Sequence, residues 1–225
     1  GYECIDAGQR PGQKLMTVNV QLIAGTASDN SSIAVLDPGS YFADQFQQSL
    51  NAYGLPSARA QATTANAPNG LIELAAIQSP PLRAFIDPTN LYSVNIYAES
   101  MLKTLGRSVD PTTQDAYVSG AAAVDRVLTD LGVRPNSVSI VDGSGLSRSN
   151  QVTPEAFVDT LQAMAKTSNA GIYRNSLAVA GRSGTLRNRM RGTNAEGRFQ
   201  GKTGTLSRTY TLSGYLNPPN HPELA

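Results

Sequence analysis

The sequence predicts an α/β or α+β layered domain, and three observations carry that prediction. Apolar residues recur at helical spacing through several central segments. Alternating runs flank them early and late, and proline or glycine punctuates most changes between the two. The 225 residues are 40% hydrophobic, enough to bury a real core.

In chain order, Lys14 to Ile23 (KLMTVNVQLI) alternates well enough for a strand. A polar loop from Ala24 leads to a second short strand over Ser32 to Leu36. Asp37-Pro38 opens a helix, with Asp as N-cap and Pro at the first helical position. Its residues Tyr41, Phe42, Phe46, Leu50 and Tyr53 keep helical spacing, and Gly54 stops it. Residues 55–68, rich in Ala, Thr, Asn and Pro, read as a linker and place a domain boundary there. Leu71 to Ile77 reads as a strand, and Pro80-Pro81 opens a short helix ending near Ile86. Ser93 stands just before a helix carrying Ile96, Tyr97, Met101, Leu102 and Leu105, ended by Gly106. Another helix covers Thr112 to Leu131 and closes on Gly132. Ser137 to Val141 is a buried-type strand running into Asp142-Gly143-Ser144-Gly145. Thr153-Pro154-Glu155 starts a helix that reaches Lys166, and residues 198–204 and 209–216 are two strands joined by a tight turn.

Composition removes several function classes. Lys plus Arg is 18 against Asp plus Glu at 17, which argues against a binder driven by phosphate charge. No stretch approaches the roughly 18 apolar residues of a membrane span. A single cysteine, Cys4, excludes a disulfide framework and a Cys-rich zinc site. A single histidine, His221, sits among prolines near the end of the sequence. A hydrolase built from this chain must therefore work without histidine, and no metal or cofactor is implied.

Two constellations bear chemistry. Lys202-Thr203-Gly204-Thr205 lies on a predicted strand beside another. The Lys brings positive charge, the Thr hydroxyls suit a carboxylate, and Gly204 lets a substrate backbone approach the strand edge. The plain alternative is a solvated Lys beside a turn glycine. Ser93-Val94-Asn95 opens a helix. Ser93 is then either an N-cap or a proton relay, with Asn95 holding a substrate amide. A rival Ser28-Asp29-Asn30 lies in a polar loop with no helix after it and reads as a turn.

Ser-x-Asn followed by Lys-Thr-Gly is part of the signature of penicillin-interacting serine enzymes. The wider strings resemble the D-alanyl-D-alanine carboxypeptidase/endopeptidases, the class C low-molecular-mass penicillin-binding proteins. They are Ser93-Val-Asn-Ile-Tyr-Ala-Glu-Ser-Met-Leu-Lys-Thr-Leu-Gly106, Asp142-Gly-Ser-Gly-Leu-Ser-Arg-Ser-Asn150, Gly201-Lys-Thr-Gly-Thr-Leu206 and Leu212-Ser-Gly-Tyr-Leu216. Asp37-Pro38 and Ser79-Pro-Pro-Leu82 also fit, so the resemblance runs from about residue 35 to 217.

The resemblance implies a serine β-lactamase-like transpeptidase domain, an antiparallel sheet with helices, interrupted by an inserted domain. Residues 1–66 would be the tail of that insert and 67–225 the second segment of the catalytic domain. It implies a serine acyl-enzyme formed on peptidoglycan stem peptides ending in D-Ala-D-Ala, and acylation by β-lactams. Ser93 would shuttle the proton, Asn95 would hold the substrate amide and Lys202 would stabilise developing negative charge. Thr203 and Thr205 would bind the terminal carboxylate, beside Gly204, and the Thr205 N–H would form half of an oxyanion hole. Arg148 would bind an acidic diaminopimelate side chain, or else is a surface arginine in a glycine-rich loop. The same resemblance places the protein in the periplasm or cell wall. A β-lactamase, or a non-catalytic peptidoglycan- or partner-binding relative, are the alternatives.

The nucleophile motif departs from the pattern. No Ser-x-x-Lys occurs in residues 1–92, and the literal match, Ser100-Met101-Leu102-Lys103, lies inside the helix that Ser93 opens. Such a nucleophile belongs at a helix N-terminus, where free N–H groups assist an oxyanion. The expectation is that the attacking serine and its lysine precede Gly1. The chain would then be a fragment or processed product, partnered by the remaining segment of its precursor.

Overall fold

In the computed structural model the described residues are 35–225, together with the backbone of two early strands, β1 (Cys4–Gln9) and β2 (Met16–Gln21). These two pair antiparallel, Cys4 opposite Gln21. β2 lies inside the predicted Lys14–Ile23 strand, and β1 was not predicted. Ser28-Asp29-Asn30, and the Ser32 to Ala34 part of the second predicted strand, lie outside the described residues. The chain forms two compact units, Gly1–Ala76 and Ile77–Ala225.

In the first unit, α1 (Pro38–Ala52) starts as its sequence dictates. The Asp37 carboxylate accepts the Ser40 N–H at 3.0 Å, and Pro38 occupies the first turn, where a missing N–H costs nothing. Gly54 leaves the helix with φ +74°. Leu71 to Ile77 is irregular chain, not the predicted strand. Its apolar residues alternate, but no described strand takes up its backbone groups, and Leu74 and Ile77 are 96% and 100% exposed.

The second unit opens with α2 (Arg83–Tyr92), which runs past Ile86 and includes Pro88. A proline there removes one N–H from the ladder, and the Thr89 hydroxyl tightens the same turn by donating to Phe85 O at 2.6 Å. α3 (Asn95–Val109) continues three residues beyond Gly106, and α4 (Ala116–Asp130) is capped by Asp115, which accepts the N–H groups of Tyr117 and Val118. The two helices cross on glycines. A Cβ on Gly106 would stand 2.1 Å from Ala116 O, and one on Gly120 would stand 2.4 Å from Leu102 O.

β3 (Val138–Ser139) pairs with β4 (Gln151–Val152), joined by the loop 142–150. α5 (Pro154–Ala165) has the predicted Thr153 cap, and α6 (Ala170–Ser176) follows. β5 (Ala178–Val179), β6 (Phe199–Leu206) and β7 (Thr209–Leu216) form an antiparallel sheet in that order. Leu161 of α5 and Leu177 pack with Tyr215 of β7, whose hydroxyl donates to Leu161 O at 2.7 Å. This packing fixes the sheet against the helices. A short 3-10 turn (Gly184–Leu186), with Leu186 fully buried, connects β5 to β6.

Gly120→Ala should destabilise the protein by about 2 kcal/mol or more in denaturant unfolding, because the added methyl meets backbone rather than a movable side chain. Gly171→Ala in α6, where a Cβ has open space, should be neutral or stabilising by up to about 1 kcal/mol. Equal effects of the two would contradict the glycine crossing.

Candidate active site

Ser93 and Val94 form the corner between α2 and α3, and Asn95 is the first residue of α3. Ser93 ends α2 in the left-handed region, φ 60° and ψ 47°. That conformation costs a non-glycine residue on the order of 1 kcal/mol, so the surroundings must hold it. They do so through close packing. The fully buried Ser176 hydroxyl receives the Asn90 amide at 2.7 Å. Gly184 sits against the last turn of α2, where a Cβ would lie 2.3 Å from Leu91 O.

Ser93 is not an N-cap. Val94 occupies that place for α3 and makes no side-chain cap bond. The Ser93 hydroxyl is used elsewhere: its Oγ accepts from Lys202 Nζ at 2.8 Å. The same ammonium donates to Thr203 O at 2.6 Å. Burial, in a half-buried position, holds the Lys202 pKa below its ordinary 10.5.

β6 presents the rest of the strand motif. β5 pairs with it only through Gln200 and Gly201, so the edge from Lys202 onward has no partner strand on that side among the described residues. Asn217 N–H bonds to Arg198 O, which makes the even-numbered residues of β6 the ones hydrogen-bonded to β7. The backbone N–H of Thr203 and of Thr205 therefore turn to the open edge. Gly204 lies opposite Thr211, and a Cβ there would meet the Thr211 hydroxyl at 2.3 Å. Its lack of a side chain thus serves cross-strand packing directly.

The Thr203 hydroxyl donates to that of Thr185, in the 3-10 turn, at 2.9 Å. Sequence reasoning missed Thr185. Its signal is a repeated tripeptide, Gly184-Thr185-Leu186, matching Gly204-Thr205-Leu206. Arg148 reaches the β6–β7 turn, with Nη2 on Ser207 O at 2.8 Å and Nη1 on Thr209 Oγ1 at 3.3 Å. Glu99, also missed, accepts the N–H groups of Gly143 and Ser144.

Ser100 and Lys103 do not form a pair. The Ser100 hydroxyl donates to Ile96 O at 2.7 Å, and the Lys103 ammonium lies 4.5 Å from the centre of the Tyr117 ring. Ser100 also lines an apolar groove of about 750 Å³ with Leu82, Phe85, Ile96 and Met101. Among the described residues no three His, Cys, Asp or Glu side chains converge to hold a metal, and no helix is long and apolar enough to cross a membrane.

The sequence matches the family model of D-Ala-D-Ala carboxypeptidase 3 (S13) over residues 4–224. It is 39% identical over 151 residues to a D-alanyl-D-alanine carboxypeptidase of Actinomadura sp. (strain R39), covering 65% of this chain and 28% of that protein. It is 28% identical over 191 residues to the penicillin-sensitive carboxypeptidase A of Dictyostelium discoideum, covering 83% and 36%. The structure resembles penicillin binding protein 4 of Haemophilus influenzae, complexed with a β-lactam, at TM-score 0.81 and 24% identity over 99% of this chain and 50% of that one. That likeness shows the penicillin-binding fold expected from the sequence. The chain spans about a third of the length of these curated relatives.

Because its charged form is disfavoured by burial, Lys202 should titrate below 10.5 in a side-chain NMR titration. The unfolded chain keeps that proton more tightly, so stability should rise with pH between the lowered midpoint and 10.5. Ser93→Ala removes an acceptor for the ammonium and should lower the midpoint further. A midpoint at or above 10.5 would contradict the burial.

Proposed function

The chain belongs to the D-Ala-D-Ala carboxypeptidase 3 (S13) family, and from that membership we propose a serine-type D-Ala-D-Ala carboxypeptidase/endopeptidase. Its substrate is a peptidoglycan stem peptide, and β-lactams acylate the same site. The observation that carries this reading is the 2.8 Å bond from Lys202 Nζ to Ser93 Oγ, which joins the two motifs side chain to side chain. Action on cell-wall peptide places the protein outside the cytoplasm.

The residues divide the work as follows. A serine Oγ attacks the penultimate carbonyl carbon and gives its proton to the lysine of its own motif; the tetrahedral oxyanion so formed collapses as the C–N bond to the terminal D-Ala breaks. Ser93, whose Oγ already accepts from Lys202, keeps its own proton free to pass to the leaving amine. Lys202, with a lowered pKa, then restores that proton more readily than an ordinary lysine. Asn95 holds the substrate amide. The open edge of β6 pairs with the substrate backbone, and the Thr205 N–H faces the developing oxyanion. The Thr203 and Thr205 hydroxyls take the terminal carboxylate; Thr203 turns its proton from Thr185 Oγ1 to the carboxylate, and the Thr185 hydroxyl then donates to Thr203 Oγ1. Water then hydrolyses the acyl-enzyme.

The attacking serine comes from a segment outside residues 1–225. The separate partners of Ser100 and Lys103 support this. On the same reading, residues 1–66 are the tail of an inserted domain and 67–225 the second part of the catalytic domain, completed by the remaining segment of the precursor.

Incubation of the full-length protein with labelled penicillin should place one label on a serine outside this chain. Ser93→Ala and Lys202→Ala should each slow acylation by about 100-fold or more. Label on Ser100 would overturn the assignment. Thr185→Val should raise KM for the peptide about three- to tenfold with little change in kcat, because Thr203 loses one hydrogen-bond partner. An unchanged KM would remove Thr185 from the site.

A further inference from the structure

We propose that the connector between β5 and β6, residues 180–199, is a cationic docking surface for the peptidoglycan polymer. Its arginines take the carboxylates of stem peptides that neighbour the one in the cleft. The inference rests on the reading of the cleft as a D-Ala-D-Ala site, and it assigns a role to residues outside the catalytic motifs.

Charge marks this connector out. It holds five of the chain's 18 basic residues, Arg182, Arg187, Arg189, Arg191 and Arg198, and one of its 17 acidic residues, Glu196. The rest of the chain is therefore net acidic. All five arginines are exposed. Elsewhere in this unit arginines are engaged, Arg134 with Asp159 and Arg174 with Glu223. Among the described residues no carboxylate forms an ion pair with an arginine of the connector, and only Arg191 spends a side-chain N–H, its Nε donating to Arg187 O at 2.9 Å. Glu196 is used within the connector, where its Oε2 accepts the Gly192 N–H at 2.6 Å. Uncompensated like charges repel, and an incoming polyanion relieves that repulsion.

The backbone that carries these charges is held in shape. Its neck closes on Ala180, whose N–H bonds to Phe199 O and whose carbonyl accepts the Gly197 N–H, both at 2.9 Å. The carbonyl of the fully buried Leu186 accepts the N–H groups of Gly181 and Arg189. Arginines on a preorganised backbone lose only side-chain freedom when they bind. The connector also borders the cleft. It carries Thr185, whose hydroxyl meets that of Thr203 at 2.9 Å, and Arg187 follows two residues later. At its other end Arg198 stands four residues before Lys202.

The same features select the partner. A guanidinium fork matches the two oxygens of a carboxylate. No large apolar side chain described between Ile172 and Tyr210 is exposed, so the surface has nothing to insert into a bilayer. The charges are spread along residues 182–198, which suits repeated anions. Each exposed guanidinium–carboxylate contact is weak alone. Several on one polymer reinforce each other through high effective concentration. A glycan bearing many stem peptides offers such repeated carboxylates beside the peptide under attack.

The test uses the full-length protein with Arg187, Arg189 and Arg191 all replaced by Gln, or all by Lys. With penicillin, and with a short soluble peptide ending in D-Ala-D-Ala, both variants should match wild type, since no cleft residue is altered. On purified peptidoglycan freed of phosphate-containing polymers, the glutamine variant should need about tenfold more substrate at low salt for half-maximal D-Ala release. The lysine variant, which keeps the charge, should lie between it and wild type. Salt should weaken cosedimentation of wild type with peptidoglycan far more than that of the glutamine variant. Amidating the free carboxylates of the peptidoglycan should bring wild type down to the level of the glutamine variant. Equal half-saturation in wild type and the glutamine variant overturns the proposal. Cosedimentation that survives amidation, or that requires the phosphate polymers, overturns it too, as does equal capture by anionic lipid vesicles. Slower penicillin acylation in the glutamine variant would put these arginines in the cleft and would also overturn it. A wild-type protein that penicillin does not acylate would sink the proposed function, while cosedimentation still decides the docking surface.

Discussion

The proposed site in the second unit turns on one hydrogen bond between residues 109 positions apart, Lys202 Nζ to Ser93 Oγ. Both partners are demanding. Lys202 is half-buried, which penalises its charge, and Ser93 holds a left-handed backbone conformation. Neither condition is maintained locally. The helix corner stays in place because Asn90, Gly184 and Ser176 pack beneath it, and the strand stays in place because Tyr215 and Leu177 fix the sheet on α5.

Close backbone approach is the means by which these parts are set at the right distance. Gly106 and Gly120 let α3 and α4 touch, Gly184 lets the 3-10 turn touch α2, and Gly143 lets the loop touch α3. Each contact is backbone against backbone and has little room to adjust, since packed interiors are not continuously deformable. The catalytic geometry proposed for the cleft is thus defined by where side chains are missing as much as by where they are present.

Helix limits were legible where the stopping chemistry is local. Asp37 and Thr153 cap through their own side chains, and Gly54 and Gly132 supply a positive φ that other residues resist. β6 and β7 were legible because eight-residue strands show their period. β4 and β5, of two residues each, have no period to show, and α6 is barely two turns. Leu71 to Ile77 misled because alternation states what a strand would bury, not whether a neighbour exists. In the site, ordered motifs placed Ser93 and Lys202 together. Glu99 was invisible because its partners, Gly143-Ser144, lie 44–45 positions away with no spacing rule connecting them, and Thr185, 18 positions before its partner Thr203, was signalled only by the repeated Gly-Thr-Leu tripeptide.

The charge of the cleft gives the proposed chemistry its physical basis. Both described hydrogen-bond partners of Lys202, Ser93 Oγ and Thr203 O, are neutral oxygens, and no described carboxylate forms an ion pair with it. A half-buried ammonium balanced only by dipoles is an unfinished electrostatic arrangement, since burial favours a compensating charge. Beside it the open edge of β6 offers N–H groups from Thr203 and Thr205, and two threonine hydroxyls lie within the same short strand. All of these stabilise an incoming anion. A substrate that arrives with a terminal carboxylate, and generates an oxyanion as it reacts, supplies the missing charge twice, once on binding and once at the transition state. Only the second of these raises kcat, so the donor nearest the reacting carbonyl matters most for rate and the threonine hydroxyls most for binding.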